Sequence, residues 1–313
     1  VTGSVKNYGD RSGTINTLYT DSKGWVWVGR YRSLGKYWPE TGDSKVYEVI
    51  NPSEPNYRKA VSGIMEDSRG DIWGGIISGK DGFFRFEPDE EQFEFFEAPA
   101  ATNFCEDRKG NIWVSTVDGL FRIDPEDSSS RRYGLEAGLP HTTVNSVLED
   151  DDGYLWMGTQ NGLSRFDPEE ENFRNYYTSD GLPSNSFSRA CYKNEKGVLF
   201  FGGTFGIVYF HPDEIKDNQV PPKLAFTQLE ILGEPIEVGE GSPLKQHIST
   251  TQKIELKHWQ NDLTIHYAAL HFKNPSKNRY KVMLSNYNEQ WREVGTQRVA
   301  NFTNLDPGSY TFR

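Results

Sequence analysis

Two stretches of this chain crowd carboxylates together, Glu149-Asp150-Asp151-Asp152 and the segment from Asp67 to Asp71. Clustered hard oxygens are what a cation such as calcium binds. The spacing does not make an EF-hand loop, which needs acids at alternate positions and a distant bidentate Glu, so solvated turns are the better reading. A glycosidase would require two carboxylates converging across a cleft, and these acids fall chiefly on turns. Gly202, Gly203 and Gly206 are not followed by the helix that a phosphate loop needs. No Cys or His pair has zinc spacing, and His266 and His271 would face opposite sides of a strand. These patterns lead us to expect no catalytic residue, no metal and no cofactor. The side chains better suited to binding are Arg30, Tyr31, Arg32, Arg58, Lys80 and His141, in which cations grip acidic or hydroxylated groups and an aromatic ring stacks. Tyr31, Trp38 and Tyr57 are the aromatics that do not recur, and hence the ring candidates for ligand contact.

What positions them is a repeat. An Asp or Asn, two residues, a Gly, two more and an aromatic occur five times: Asp21-Gly24-Trp27, Asp67-Gly70-Trp73, Asp107-Gly110-Trp113, Asp150-Gly153-Trp156 and a degenerate Asn194-Gly197-Phe200. The aromatics are 46, 40, 43 and 44 residues apart. Such a period marks a radial or solenoidal array rather than one globular core. In the fourth copy the apolar runs Val144 to Leu148, Tyr154 to Gly158, Leu163 to Phe166 and Phe173 to Tyr177 alternate with Gly, Asp and Asn clusters, which predicts one four-stranded antiparallel propeller blade. The two slots that precede the Asp by three and two residues are apolar in every copy, as in Val147 and Leu148, so both faces of the innermost strand are expected to be buried between neighbouring blades. The Asp-x-x-Gly is read as a hairpin turn whose Gly takes positive φ, and the recurring Trp as inter-blade core.

In an up-and-down blade the first-to-second and third-to-fourth turns share one end, where the acids gather. The opposite end carries the departures from the repeat: Arg30-Tyr31-Arg32, the expansion at Ser78-Gly79-Lys80 and the long connection with Tyr57-Arg58-Lys59. Loops on a rigid scaffold commonly carry function, so ligand binding is expected at that end. The net charge of −11 argues against nucleic acid. Cys105 and Cys191 sit in inner-strand apolar slots and read as buried free thiols. The repeats stop near Pro212, and beyond a polar Asn218–Pro222 link the runs Leu224 to Leu232, Ile254 to Leu256, Leu263 to Leu270 and Tyr280 to Leu284 predict a small β-sandwich. The expected fold is therefore all-β, a propeller over 1–217 followed by an Ig-like sandwich over 218–313. The chain lacks an initiator Met and a leader and ends before a last strand, which reads as a fragment.

These residues resemble the two-component regulator propeller repeat through Glu149-Asp150-Asp151-Asp152-Gly153-Tyr154-Leu155-Trp156-Met157-Gly158-Thr159 and the connections Gly138-Leu139-Pro140 and Gly181-Leu182-Pro183. The remainder is similar to the triple-tyrosine domain through Asn261, Tyr267-Ala268-Ala269-Leu270, Asn274-Pro275, Tyr280, Trp291, Asn304 and Pro307-Gly308, with Val282 where a second Tyr is usual and Arg313 ahead of the last strand. The resemblance implies a seven-bladed ring of which five repeats are visible, and a five-bladed ring is the alternative that the sequence leaves open. It also implies a periplasmic sensor region of a hybrid histidine kinase, responding to a ligand that is often an oligosaccharide and relaying its state to a cytoplasmic output domain. A homodimer of the intact sensor is a further expectation, and a protein-interaction scaffold or a glycan-cleaving propeller are the alternatives.

Overall fold

The computed structural model describes residues 14–50, 60–77, 82–215, 222–270 and 278–313. Arg58, Lys80, Tyr57 and most of the predicted link lie outside them. The chain divides into two compact units, Val1–Lys216 and Asp217–Arg313.

The first unit is a series of antiparallel sheets in simple up-and-down order. Blade 1 contains β1 (Ile15–Thr20), β2 (Val26–Arg30), β3 (Ser33–Tyr37) and β4 (Ser44–Glu48). Blade 2 contains β5 (Val61–Glu66), β6 (Ile72–Ile76), β7 (Phe83–Glu87) and β8 (Gln92–Phe96). Blade 3 contains β9 (Ala101–Glu106), β10 (Ile112–Thr116), β11 (Gly119–Ile123) and β12 (Ser130–Tyr133). Blade 4 contains β13 (Val144–Glu149), β14 (Leu155–Thr159), β15 (Gly162–Asp167) and β16 (Asn172–Tyr176), each within a residue or two of the predicted runs. Blade 5 has three strands among the described residues, β17 (Phe187–Lys193), β18 (Leu199–Gly203) and β19 (Gly206–Phe210).

The repeated phrase makes the turn between the first two strands. Gly24, Gly70, Gly110, Gly153 and Gly197 all have φ between 76 and 92°, the left-handed region that a side chain resists. The phrase's own Trp in blades 1–4, Trp27, Trp73, Trp113 and Trp156, is fully buried, each at 0–1% exposure. They pack forward onto the next blade's third strand, Trp27 edge-on to Phe86 at 5.8 Å, Trp113 to Phe166 at 5.6 Å and Trp156 to Phe210 at 4.8 Å. Each innermost strand packs against the innermost strand of the following blade, β1 on β5, β5 on β9, β9 on β13 and β13 on β17.

Burial of both faces of the innermost strand holds in the middle of the array and fails at its ends. Ile64, Phe104 and Val147 face the preceding blade and are buried, whereas Leu18 in the same slot is 62% exposed. Tyr192, which should face a following blade, is also 62% exposed. The slots are apolar in all five copies, but burial depends on a neighbouring blade, and among the described residues none covers Leu18 or Tyr192.

The second unit holds two sheets, of order β21-β20-β22-β25 and β24-β23-β26. The first contains β20 (Lys223–Ile231), β21 (Glu234–Pro235), β22 (Leu263–Leu270) and β25 (Val299–Phe302), and the second β23 (Tyr280–Ser285), β24 (Asn288–Gly295) and β26 (Thr311–Phe312). Tyr267, Ala300 and Phe302 of one sheet pack with Val282 and Leu284 of the other, which is sandwich packing. Ile254 to Leu256 is not a strand. Ile254 and Leu256 instead pack as coil against the cluster of Leu229, Ile231, Leu244 and Ile248, so their apolar character comes from burial without pairing.

Candidate functional site

The face at which binding was expected is formed by the turns between second and third strands together with the connections that enter each blade. These join through the backbone. Tyr31 pairs in an isolated bridge with Ala60, the Ile77 amide donates to the Ala60 carbonyl at 3.1 Å, and the Gly119 amide donates to Thr142 at 2.6 Å. Tyr31 and Gly119 thereby tie turns of blades 1 and 3 to the entry of the next blade, and Ile77 ties a turn of blade 2 to that blade's own entry.

The structure distributes the predicted residues unequally over this face. Tyr31 is 44% exposed and Arg32 is exposed with φ of +65°, a conformation costly for a residue with a Cβ and held here by the Val49 amide donating to the Arg32 carbonyl at 2.9 Å. Arg30 is a correction: it is 6% exposed, with its guanidinium 5.4 Å from the centre of the Tyr37 ring. It alternates with Tyr31 along the strand, so when Tyr31 faces out Arg30 turns back onto the sheet. His141 lies in the connection into blade 4, where its Nδ1 accepts the Thr143 amide at 2.9 Å and closes a turn. Trp38 sits at the other end of β3 from Tyr31, tilted against Trp25 at 5.1 Å, and so belongs to the acidic end. Tyr31 and Arg32 form the described exposed pair; Arg58 and Lys80 lie outside the described residues.

At the acidic end, the turn Asp does more than shape a hairpin. In blades 1–4 its Oδ1 accepts the backbone amides two and four residues on, and its Oδ2 accepts the indole N–H of the buried Trp: Asp21 with Trp27 at 2.8 Å, Asp67 with Trp73 at 2.9 Å, Asp107 with Trp113 at 2.8 Å and Asp150 with Trp156 at 2.7 Å. In blade 5, Asn194 Oδ1 still accepts two amides at 3.0 Å, but the aromatic is Phe200, which has no N–H to donate. The Asp-to-Asn and Trp-to-Phe changes therefore belong together, since an amide nitrogen in place of Oδ2 would confront an indole donor. That paired change was visible in the sequence and is the signal that could have revealed the bond.

The flanking acids are also engaged. Ser22 donates to Glu66 through its amide at 2.6 Å and its hydroxyl at 3.0 Å, Ser68 does the same to Glu106, and the Arg108 amide donates to Glu149. Further out, Tyr133 donates its hydroxyl to Glu171 at 3.0 Å and Arg131 pairs with the same carboxylate, while Lys45 pairs with Glu91. The acids clamp blade to blade, and no cluster of three or more candidate metal ligands occurs among the described residues. Cys105 and Cys191 are unpaired, and burial pushes both thiols up to about 12, far from the reactive thiolate.

With this geometry in view, the two-component regulator propeller model matches residues 98–118 and 138–161, and the Y_Y_Y domain model matches residues 271–313. The chain carries two-component regulator propeller repeats followed by a Y_Y_Y domain. A 116-residue stretch is 31% identical to histidine kinase P4 of Formosa agariphila, covering 37% of this chain and 8% of that protein. The extracellular domain of the putative hybrid two component system BT3049 from B. thetaiotaomicron superposes with a TM-score of 0.67 at 22% identity, over 98% of this chain and 48% of that one. Virginiamycin B lyase from Staphylococcus aureus shares the propeller fold with a TM-score of 0.55 at 18% identity, over 70% of this chain and 77% of that one. The chain thus spans under half the length of BT3049's extracellular domain and a small part of the histidine kinase. The propeller-repeat matches lie in blades 3 and 4, and the Y_Y_Y match lies within the second unit.

Proposed function

We propose that this chain is the extracytoplasmic sensing region of a two-component regulator, non-catalytic in itself, in which the propeller binds an oligosaccharide and the sandwich passes the bound state toward a cytoplasmic output domain. The observation that carries this reading is the order of parts, regulator propeller repeats and then a Y_Y_Y domain, in a chain that overlays almost completely on an extracellular domain of a hybrid two-component system. Binding is assigned to the strand-end face bearing Tyr31 and Arg32, with Arg58 and Lys80 as its further cations. An exposed ring offers a stacking surface to a sugar, and a guanidinium offers paired donors to hydroxyls or a carboxylate. His141 and Arg30 support this face from within, His141 as a turn cap and Arg30 through Tyr37. Relay requires the ligand to bind two arrangements of the region unequally, because equal affinity shifts no equilibrium.

Calorimetry against a panel of neutral and acidic oligosaccharides tests the assignment. The Tyr31→Ala, Arg32→Ala double variant is expected to weaken binding by about tenfold or more, the loss of one stacking contact and one charge-assisted pair. Unchanged affinity in that variant would remove this face from the reading, and product release from any member of the panel would replace sensing with catalysis.

A further inference from the structure

Across the strand-end face, the first residue of each turn between second and third strands alternates with the residue that enters each blade, along one backbone arc. Tyr31 bridges to Ala60, whose carbonyl also accepts the Ile77 amide at 3.1 Å. The Gly82 carbonyl accepts both the Ile76 and the Ala101 amides, and the Ala100 carbonyl accepts the Val117 amide at 3.2 Å. Thr143 donates its hydroxyl to the Val117 carbonyl at 3.4 Å, and its own carbonyl accepts the Gln160 amide at 3.3 Å. Ser186 ends the run: its carbonyl accepts the Thr204 amide at 3.2 Å, and its hydroxyl donates to Gln160 Oε1 at 3.2 Å.

The side chains along this arc fall into two halves. Blades 1–3 supply Tyr31, Ala60, Ile77, Ala100 and Val117, and blades 4 and 5 supply Thr143, Gln160, Ser186 and Thr204. Turn positions favour polar residues and Gly, and Gln160 and Thr204 follow that rule. In the same place Tyr31, Ile77 and Val117 are apolar and 44, 40 and 43% exposed. The polar half is wired together. Ser184 Oγ accepts the Ser186 amide at 3.0 Å and lies 3.0 Å from Thr204 Oγ1, while Gln160 Nε2 has no partner among the described residues. The second turn position belongs elsewhere: Asp118 pairs with Arg132 on β12 at 3.0 Å, and Phe205, which holds that position in blade 5, is outside the arc.

We propose that the arc selects a neutral oligosaccharide bearing methyl groups, as in a 6-deoxy sugar or an O-acetyl ester, seating the methyls on Ile77 and Val117 while free hydroxyls bond Gln160, Ser186 and Thr204. The inference rests on the binding assigned above to this face. Tyr31 and Ile77 flank Ala60, two strand spacings or about 10 Å apart, so the apolar turn residues are separate contacts for small groups and not a continuous groove for a peptide. A small aliphatic side chain already half in water gains by covering a methyl and loses by covering a hydroxyl. Neutral donors and acceptors in the other half match hydroxyls, which both give and take hydrogen bonds. A uronic acid finds no counter-charge on the arc, whose residues carry no charged side chain.

Calorimetry on the 313-residue chain tests this with matched pairs. One pair is a disaccharide ending in 6-deoxygalactose and its counterpart ending in galactose of the same configuration and linkage. The other is O-acetylated xylo-oligosaccharide before and after alkaline de-O-acetylation, and a galacturonic acid oligosaccharide serves as the charged member. The methyl-bearing member of one pair is expected to bind about fourfold more tightly for each methyl seated, and the pair that shows it identifies the source of the methyl. Ile77→Ser and Val117→Ser together are expected to bring that ratio to about one. Gln160→Ala is expected to weaken both members by about fivefold and leave the ratio standing. Equal affinity within both pairs, with the Tyr31→Ala, Arg32→Ala variant still weakening every member, overturns the methyl selection and leaves the face as a binding site. A ratio unmoved by the Ile77, Val117 double variant overturns it, and so does tighter binding of the galacturonic acid oligosaccharide. Absence of binding by every member overturns it together with the reading of the face on which it rests.

Discussion

Blades 4 and 5 descend from one pattern and answer to different surroundings. In blade 4 the face turned toward the next blade carries Leu148, Trp156 and Arg165, the indole N–H ends on Asp150, and the guanidinium lies 4.6 Å from the Tyr154 ring centre. In blade 5 the same places hold Tyr192, Phe200 and Tyr209, Asn194 replaces the Asp, and the rings lie open. The first arrangement buries the indole N–H and satisfies it with a designated acceptor, Asp150. The second contains no buried donor to satisfy, only rings with hydroxyls at their tips. A repeat can thus keep its backbone turn while exchanging the whole chemistry of a junction, provided the buried donor and its acceptor change together.

The largest effect expected from breaking this contrast comes from Asp150→Asn, which sets an amide N–H against the indole N–H at a residue that is 2% exposed. An unsatisfied buried donor of this kind costs about 2–3 kcal/mol, measurable by urea unfolding. The double variant Asp150→Asn, Trp156→Phe copies the blade 5 pair. It still loses packing at Phe210, but it is expected to be less destabilised than the sum of the single variants by about 1 kcal/mol or more. Strict additivity would mean that the indole bond contributes nothing and that the two changes in blade 5 are unrelated.

A second comparison sets Val147 against Leu18, the same slot in β13 and β1 with 0 and 62% exposure. Val147→Ala is expected to cost about 2 kcal/mol through the cavity it leaves. Leu18→Ala should stay within about 0.5 kcal/mol, as at other surface positions. Unfolding of the two variants side by side checks the claim that the neighbour, not the slot, decides burial; similar losses would show that a neighbour covers Leu18 in solution.

Leu18 also shows where sequence reading stops. The period, the glycine turns and the four strands of blade 4 are local, set by spacing and by residues such as Gly153 whose φ few others adopt, so they could be read directly. Burial of Leu18 and Tyr192 is a property of the neighbouring blade, which one copy of the repeat does not describe. The orientation of Arg30 turned on strand alternation next to a bridge at Tyr31, and a motif of adjacent cations hid it. The register shifts near the start of every innermost strand left only an indirect trace, the polar residues Ser62, Thr102 and Asn145 in otherwise apolar runs.

The smallest effect concerns the clamp at the junction of blades 4 and 5, which is reversed, with the acid on the earlier blade. The Lys193 ammonium, 2.7 Å from Asp151, holds the Asp151 carboxyl below its usual range. A carboxylate whose folded pKa is depressed contributes stability above its unfolded value, about 3.9, and loses it as pH falls through the folded value. Asp151→Asn is therefore expected to lower Tm by no more than about 2 °C near neutral pH, because the pair is exposed. The difference from the parent chain should shrink as pH drops below about 4. High salt should shrink it too, by screening an exposed pair. In the first three junctions the acceptor is a Glu on the later blade, and Ser22→Ala removes a neutral donor opposite Glu66, so its effect should persist in high salt. Thermal melts of both variants across pH and salt compare the two kinds of junction directly: a salt-insensitive Asp151→Asn would mean that Lys193 acts there by packing its aliphatic stem, and that reversal of charge is not what distinguishes the end of the array.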